Sequence, residues 1–242
     1  MRLVLLCFFC ALLTTAAPAN DRSLAAGEQR QQLQHEKFLQ EHASSAAGHA
    51  SYAEFLSEHN NLRAAIAHWH TAQQLDPGNA AIANALGGAY LRMGKAAASA
   101  AEFARAIGLD RNNAAYHFNL ANVEFMLRHD LTAAWKMEMP EVLQRALADF
   151  REASRLSPND IEYARAYAET FYGVPEANWA EAEAAWKHVL SLDPQSDFVY
   201  LQLARVSLKR GDAEGARQFL NKIVDIRHDG LKRKLQAQAD RL

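Results

Sequence analysis

The sequence predicts an all-α solenoid of helical hairpins, and three observations lead there. Of its 242 residues, 48 are alanine, against 11 glycines and 6 prolines, a mix that favours closely packed helices over sheet or disorder. Sliding the chain by 34 positions aligns Ala65-x3-Trp69-x2-Ala72-x2-Leu75-Asp76-Pro77 with Ser99-x3-Phe103-x2-Ala106-x2-Leu109-Asp110-Arg111, and a fixed period of that size marks stacked repeats. Behind the last such unit comes a half-polar segment, as an open stack needs at its end.

Residues 1–19 read as a secretory signal: Arg2, an apolar run from Leu3 to Leu13, and small residues ending Ala17-Pro18-Ala19, with cleavage before Asn20. The run is 11 residues long, against the roughly 20 of a spanning helix, so a permanent anchor is the weaker reading. Both cysteines, Cys7 and Cys10, fall in this segment. A cleaved chain then has no thiol for a disulfide or a metal. Lipid attachment at Cys10 is disfavoured by the bulky Phe8 and Phe9 before it. The expected localisation is export to a bacterial periplasm, with secretion as the alternative.

Residues 20–45 form a leader, polar and Gln-rich from Gly27 to Ala43, whose apolar contacts are Leu33, Phe38 and Leu39. Five units follow, at 46–79, 80–113, 114–160, 161–196 and 197–230. The later ones repeat the frame as Ala146-x3-Phe150-x2-Ala153, Ala182-x3-Trp186-x2-Val189 and Ala216-x3-Leu220-x2-Ile223-x2-Ile226. Small, large and small residues at i, i+4 and i+7 lie on one helix face, where the small ones admit a neighbour and the large one fills the gap. Proline behind Leu75, Leu156 and Leu192 stops that helix. Upstream, Leu86-Gly87, Leu120-Ala121 and Leu203-Ala204 supply large-small pairs at which a first helix meets the second. The third unit is longer, since Ala106 and Ala153 stand 47 apart. Its insertion is expected between the two helices near 129–139, ahead of Pro140, a residue suited to a first helical turn. Residues 231–242 are expected to form a capping helix, with Leu231, Leu235, Ala239 and Leu242 as one stripe.

The run Leu86-Gly87-Gly88-Ala89-Tyr90, followed by Gly94, Phe103 and Ala106, resembles the tetratricopeptide repeat (TPR), and the other units match it less fully. The resemblance implies a right-handed solenoid that binds protein without catalysis. Departures are Arg111 and His228 in place of proline, and Glu124 in place of a large apolar residue, where a looser helix junction is expected.

In that family the first helix of each hairpin lines a concave groove. The resemblance therefore points to Asn84, Arg92, Phe118, Asn119, Asn122, Phe125, Arg165, Glu169, Tyr172, Gln202 and Arg205 as partner-binding residues. Amides, arginines and aromatics suit an extended peptide; the alternative is an ordinary solvated face. A subtype that clamps a C-terminal carboxylate is excluded, because Asn84, Gly88, Glu162 and Ala166 do not fit its pattern and only Asn119 does. The insertion carries Leu131, Trp135, Met137 and Met139. It either folds back on its neighbours as a satellite core or offers a second docking site centred on Trp135.

Other chemistry finds little support. His35, His42 and His49 recur at seven-residue spacing, about 10.5 Å of rise on one continuous helix, too far for a shared ion. Gly88 to Gly94-Lys95 has the wrong spacing for a phosphate loop, and no nucleophile motif is present. Glu181 and Glu183 read as a solvated face. No metal, cofactor or catalytic residue is expected. The formal net charge of −2 argues against nucleic acid. It divides unevenly: residues 20–204 carry net −8, and those from Arg205 onward carry net +5. Such polarity can orient an anionic partner or drive head-to-tail self-association. The functions that fit are an exported scaffold or assembly factor, then a binder of glycans or cell-wall fragments, and last an enzyme without a recognisable motif.

Overall fold

The structure, a computed structural model, describes residues 25–242; the expected signal segment lies outside them. The described residues are helical with no strand, and the architecture is an all-α solenoid of hairpins. A leading helix α1 (Ala26–Glu41) is followed by the pairs α2 (Ala46–Glu58) with α3 (Leu62–Leu75), and α4 (Ala80–Arg92) with α5 (Ala96–Leu109). Next come α6 (Ala114–Met126), a short α7 (Arg128–Trp135), α8 (Met139–Leu156), α9 (Ile161–Thr170) and α10 (Trp179–Leu192). The chain closes with α11 (Asp197–Lys209), α12 (Ala213–Leu220) and α13 (Asp229–Ala239).

Two recurrent devices set the helix boundaries. Four residues past Leu75, Leu109 and Leu156, Asn79, Asn113 and Asp160 cap the next helix, their side-chain oxygens accepting from backbone N–H groups of its first turn. Within hairpins, Asn60, Gly94 and Gly211 each sit two residues past a first helix with φ of 62°, 69° and 76°. There the chain reverses through bonds from Asn61, Lys95 and Asp212 N–H to carbonyls five residues back, the Schellman closure that requires a left-handed residue.

The expected repeat frame is the core. Ala65, Trp69 and Ala72, Ser99, Phe103 and Ala106, Ala146, Phe150 and Ala153, Ala182, Trp186 and Val189, and Ala216, Leu220 and Ile223 are all buried. Large meets small as the sequence demands: a Cβ on Gly87 would lie 2.7 Å from the Phe103 ring. Ser99, small and polar within the frame, is satisfied by donating to the Gly87 carbonyl at 2.8 Å.

The insertion forms the helix α7, which buries Leu131 and packs Trp135 and Met137 against a cluster of Phe103, Leu120, Val123 and Val142, the fold-back arrangement of its two readings. Three expectations are corrected. The junction at Glu124 is closed, since its carboxylate is 0% exposed and accepts from Arg145 Nε at 2.9 Å. The last repeat helix stops at Leu220, before Ile226, which is 79% exposed. Asp197 draws the chain away there, its Oδ2 accepting from Val224 N–H at 3.1 Å and Asp225 N–H at 2.6 Å. Finally, α1 ends before α2 begins, so His42 and His49 share no helix with His35; His49 Nδ1 instead meets His68 Nδ1 at 2.9 Å.

Candidate partner-binding face

The first helices of successive hairpins are linked by side chains. Arg92 on α4 reaches back to α2, donating to the Ser57 carbonyl at 3.0 Å, to Ser57 Oγ at 2.7 Å and to Asn60 Oδ1 at 3.3 Å. Asn119 on α6 donates to Asn84 Oδ1 on α4 at 2.9 Å. Between α6 and α9 the link is aromatic, the Phe118 ring packing at a tilt against Tyr163 with centroids 4.6 Å apart. Tyr172 donates to the Gln202 carbonyl of α11 at 3.3 Å. These are the four steps by which the candidate residues share one face.

Two polar groups stand out on it. The first is Asn84, Asn119 and Asn122; Asn122 donates to the Phe118 carbonyl one turn back at 2.9 Å. Phe125, below them, packs edge-on to Phe150 at 6.5 Å and lies under Arg128 at 5.5 Å, with Gly173 closing on its ring. The second is Glu169, Tyr172, Gln202 and Arg205. Arg205 lies over the Tyr172 ring at 4.4 Å and donates to Gln202 Oε1 at 2.9 Å, so its planar fork is fixed by stacking and bonding together. Burial pushes the Tyr172 hydroxyl well above its ordinary range, with Glu169 adding to this and Arg205 opposing it. It stays a donor. Burial raises the Glu169 carboxyl too, against the pull of Arg165, whose Nε is 3.6 Å from Glu169 Oε1.

Some assignments change. Tyr172 lies beyond the end of α9, in the turns before α10. Gln202 is buried and serves as the acceptor that holds Arg205. Trp135, expected as a separate second docking candidate, lies on α7 with the Arg145 guanidinium 4.9 Å over its ring, covering the arginine that partners Glu124. Sequence reasoning missed Trp179, 5.7 Å from Tyr172 and itself under Lys209 at 5.5 Å. Glu181 and Glu183 bridge helices instead of facing solvent: Glu181 accepts from Tyr167 at 2.5 Å and pairs with Arg151 at 2.6 Å, while Glu183 pairs with Lys187 and Arg210.

His117 Nδ1 meets Asp149 Oδ1 at 2.8 Å and Nε2 meets the Arg111 carbonyl at 3.1 Å, so the ring is enclosed between two acceptors and offers no nitrogen to a substrate. Among the described residues no group of three or more His, Cys, Asp or Glu could hold a metal, and no helix is long and apolar enough to cross a membrane.

Comparisons with known proteins agree with this architecture. Tetratricopeptide-repeat family models match residues 80–113 and 176–239, and the chain carries TPR repeats there. Among solved structures, YrrB, described as a TPR protein with an unusual peptide-binding site, is 22% identical with a TM-score of 0.65, over 86% of this chain and 98% of that one. PilF of Pseudomonas aeruginosa is 18% identical with a TM-score of 0.58, over 88% and 90%. A MamA structure is 15% identical with a TM-score of 0.60, over 80% and 94%. No curated protein matches significantly.

Proposed function

We propose that this chain is an exported, non-catalytic scaffold or assembly factor that holds an extended segment of a protein partner along the face shared by α4, α6, α9 and α11. The observation that carries the reading is the fixed Tyr172–Arg205–Gln202 group standing along one face from the amides of Asn84, Asn119 and Asn122. An extended peptide needs amide partners for its backbone and an aromatic or arginine anchor for a side chain. Because these groups are held by contacts already made, little ordering remains to oppose binding. The TPR fold, and a structural neighbour described as having a peptide-binding site, support the same class of partner. Export rests on residues 1–19 and sets the compartment, the bacterial periplasm, in which the partner is met.

A photoreactive residue at Asn122, irradiated in an envelope extract, tests the binding. Recovery of one defined protein, abolished by Arg205→Glu, supports the scaffold; recovery of glycan alone, or of nothing, overturns it. N-terminal sequencing of the product tests export separately. A chain starting at Asn20 supports it, and an intact Met1 overturns it.

A further inference from the structure

The two ends of the described solenoid are opposite in charge, and both expose apolar side chains. At the leading end, α1 and α2 enclose an open cleft of about 440 Å³ lined by Gln34, His35, Phe38, Glu54, Phe55 and Glu58. Leu33 on α1 is 63% exposed. Residues 25–58 hold five acidic and two basic side chains, net −3. Glu54 and Glu58, one turn apart on α2, form no ion pair among the described residues, and like charges at that spacing repel. At the trailing end, residues 221–242 hold six basic and three acidic side chains, net +3. Asp225 is taken by Arg227 at 2.5 Å and Asp240 by Arg217 at 3.2 Å, while Arg233 and Lys234 have no carboxylate partner among the described residues. In the same end, Val224 is 90% and Ile226 79% exposed. Their backbone is pinned: Asp197 accepts from Val224 and Asp225 N–H, and Lys232 Nζ donates to the Ile223 carbonyl at 3.0 Å. Two β-branched side chains are thus presented outward on a tied segment, a costly display unless something covers them.

We propose that the chain associates head to tail, with Val224 and Ile226 of one copy entering the α1–α2 cleft of the next, and Arg233 and Lys234 facing Glu54 and Glu58. The occupant is argued from the chain itself. Each end carries apolar surface and a charge that matches the other in size and opposes it in sign. The contact uses two different patches, so it is heterologous and leaves a free head and a free tail for further copies. It is screened by salt, because the charges sit at the rim. Nothing in it depends on the peptide-binding reading of the α4–α11 face.

Sedimentation of the purified protein over a range of concentrations and ionic strengths tests this. The expected result is a mass that grows with concentration beyond a dimer and falls with added salt. E54K/E58K and R233E/K234E each raise the dissociation constant by about tenfold or more, as does I226D. The quadruple charge-reversed chain recovers association, which a variant that merely misfolds cannot do. Thermal melts of every variant check folding. A monomer at all concentrations overturns the proposal, and so does a dimer indifferent to changes at both ends, or a quadruple variant that stays monomeric.

Discussion

Arg145 on α8 donates from Nε to Glu124 Oε1 on α6 at 2.9 Å, and the carboxylate it holds is wholly withheld from solvent. Burial is the largest influence on that carboxyl and raises it from 4.5 to about 7, the Arg145 bond opposing and nearby Asp149 assisting. Folded protein therefore keeps a proton that the unfolded chain releases. The sign follows: stability falls as pH rises from about 4.5 to about 7, and the full penalty, on the order of 3 kcal/mol, is present above that window. Asp149, also raised by burial, acts in the same direction. Glu124→Gln removes this slope. Melting curves at pH 5 and pH 8 check it: the variant should gain on the natural protein as pH rises, and parallel pH profiles would count against the assignment.

His68 works in the opposite sense. Burial, and then His49 beside it, hold its pKa below the ordinary 6.5. The unfolded chain takes up a proton there that the folded one refuses. Its stability contribution is complete above pH 6.5 and is lost as pH falls below that value. In His68→Gln the acid limb of the stability profile should flatten. Proton titration of the His68 ring by NMR gives the same answer independently, and a midpoint at or above 6.5 sinks it.

Neighbouring glycines on α4 should respond with opposite signs. A Cβ at Gly87 meets Phe103, itself buried, at 2.7 Å; Gly87→Ala should cost about 1 to 3 kcal/mol through overpacking. At Gly88 nothing lies within 4 Å, so Gly88→Ala should stabilise by up to about 1 kcal/mol from helix propensity. Denaturant melts of the two variants separate these effects, and a common sign would contradict the packing.

Trp135 is bound into the molecule by Arg145 and by the cluster under α7. Trp135→Ala should lower stability by about 1 to 3 kcal/mol, a few degrees in melting temperature for a chain of this size. An unchanged melting temperature with weakened partner capture would instead restore the second docking site.

The hairpin architecture was legible because its signal is repeated. A single Ala-x3-Trp-x2-Ala is common, but the frame recurs at 65, 99, 146, 182 and 216 and every member of its small-large-small triplets is buried. The caps Asn79, Asn113 and Asp160 were equally open to reading, each four residues past a stopping leucine. What escaped was polar and long-range. Glu124 breaks the apolar pattern, and only the position of Arg145, 21 residues on, shows that a partner closes the gap. Glu181 looked like a solvated side chain because its partners, Arg151 and Tyr167, come from different helices. On the candidate face, the family resemblance pointed to Tyr172 and Arg205 as binding residues, but not to the stacking of one on the other, nor to Trp179 beside them.

Helix α1 contributes no buried residue in its 16 positions. It is held by Tyr52 donating to Glu36 at 2.9 Å, by the His35 ring on Tyr52 at 5.3 Å, and by Phe38 against Gly48. Such contacts carry little free energy compared with the clusters under α3 or α10. Amide hydrogen exchange should accordingly run from one end, with α1 opening in a subglobal event while the repeats stay closed. The leading helix is then the first foldon to be lost, and each opening lays bare the aromatic surface of Tyr52 and Phe55 beneath it.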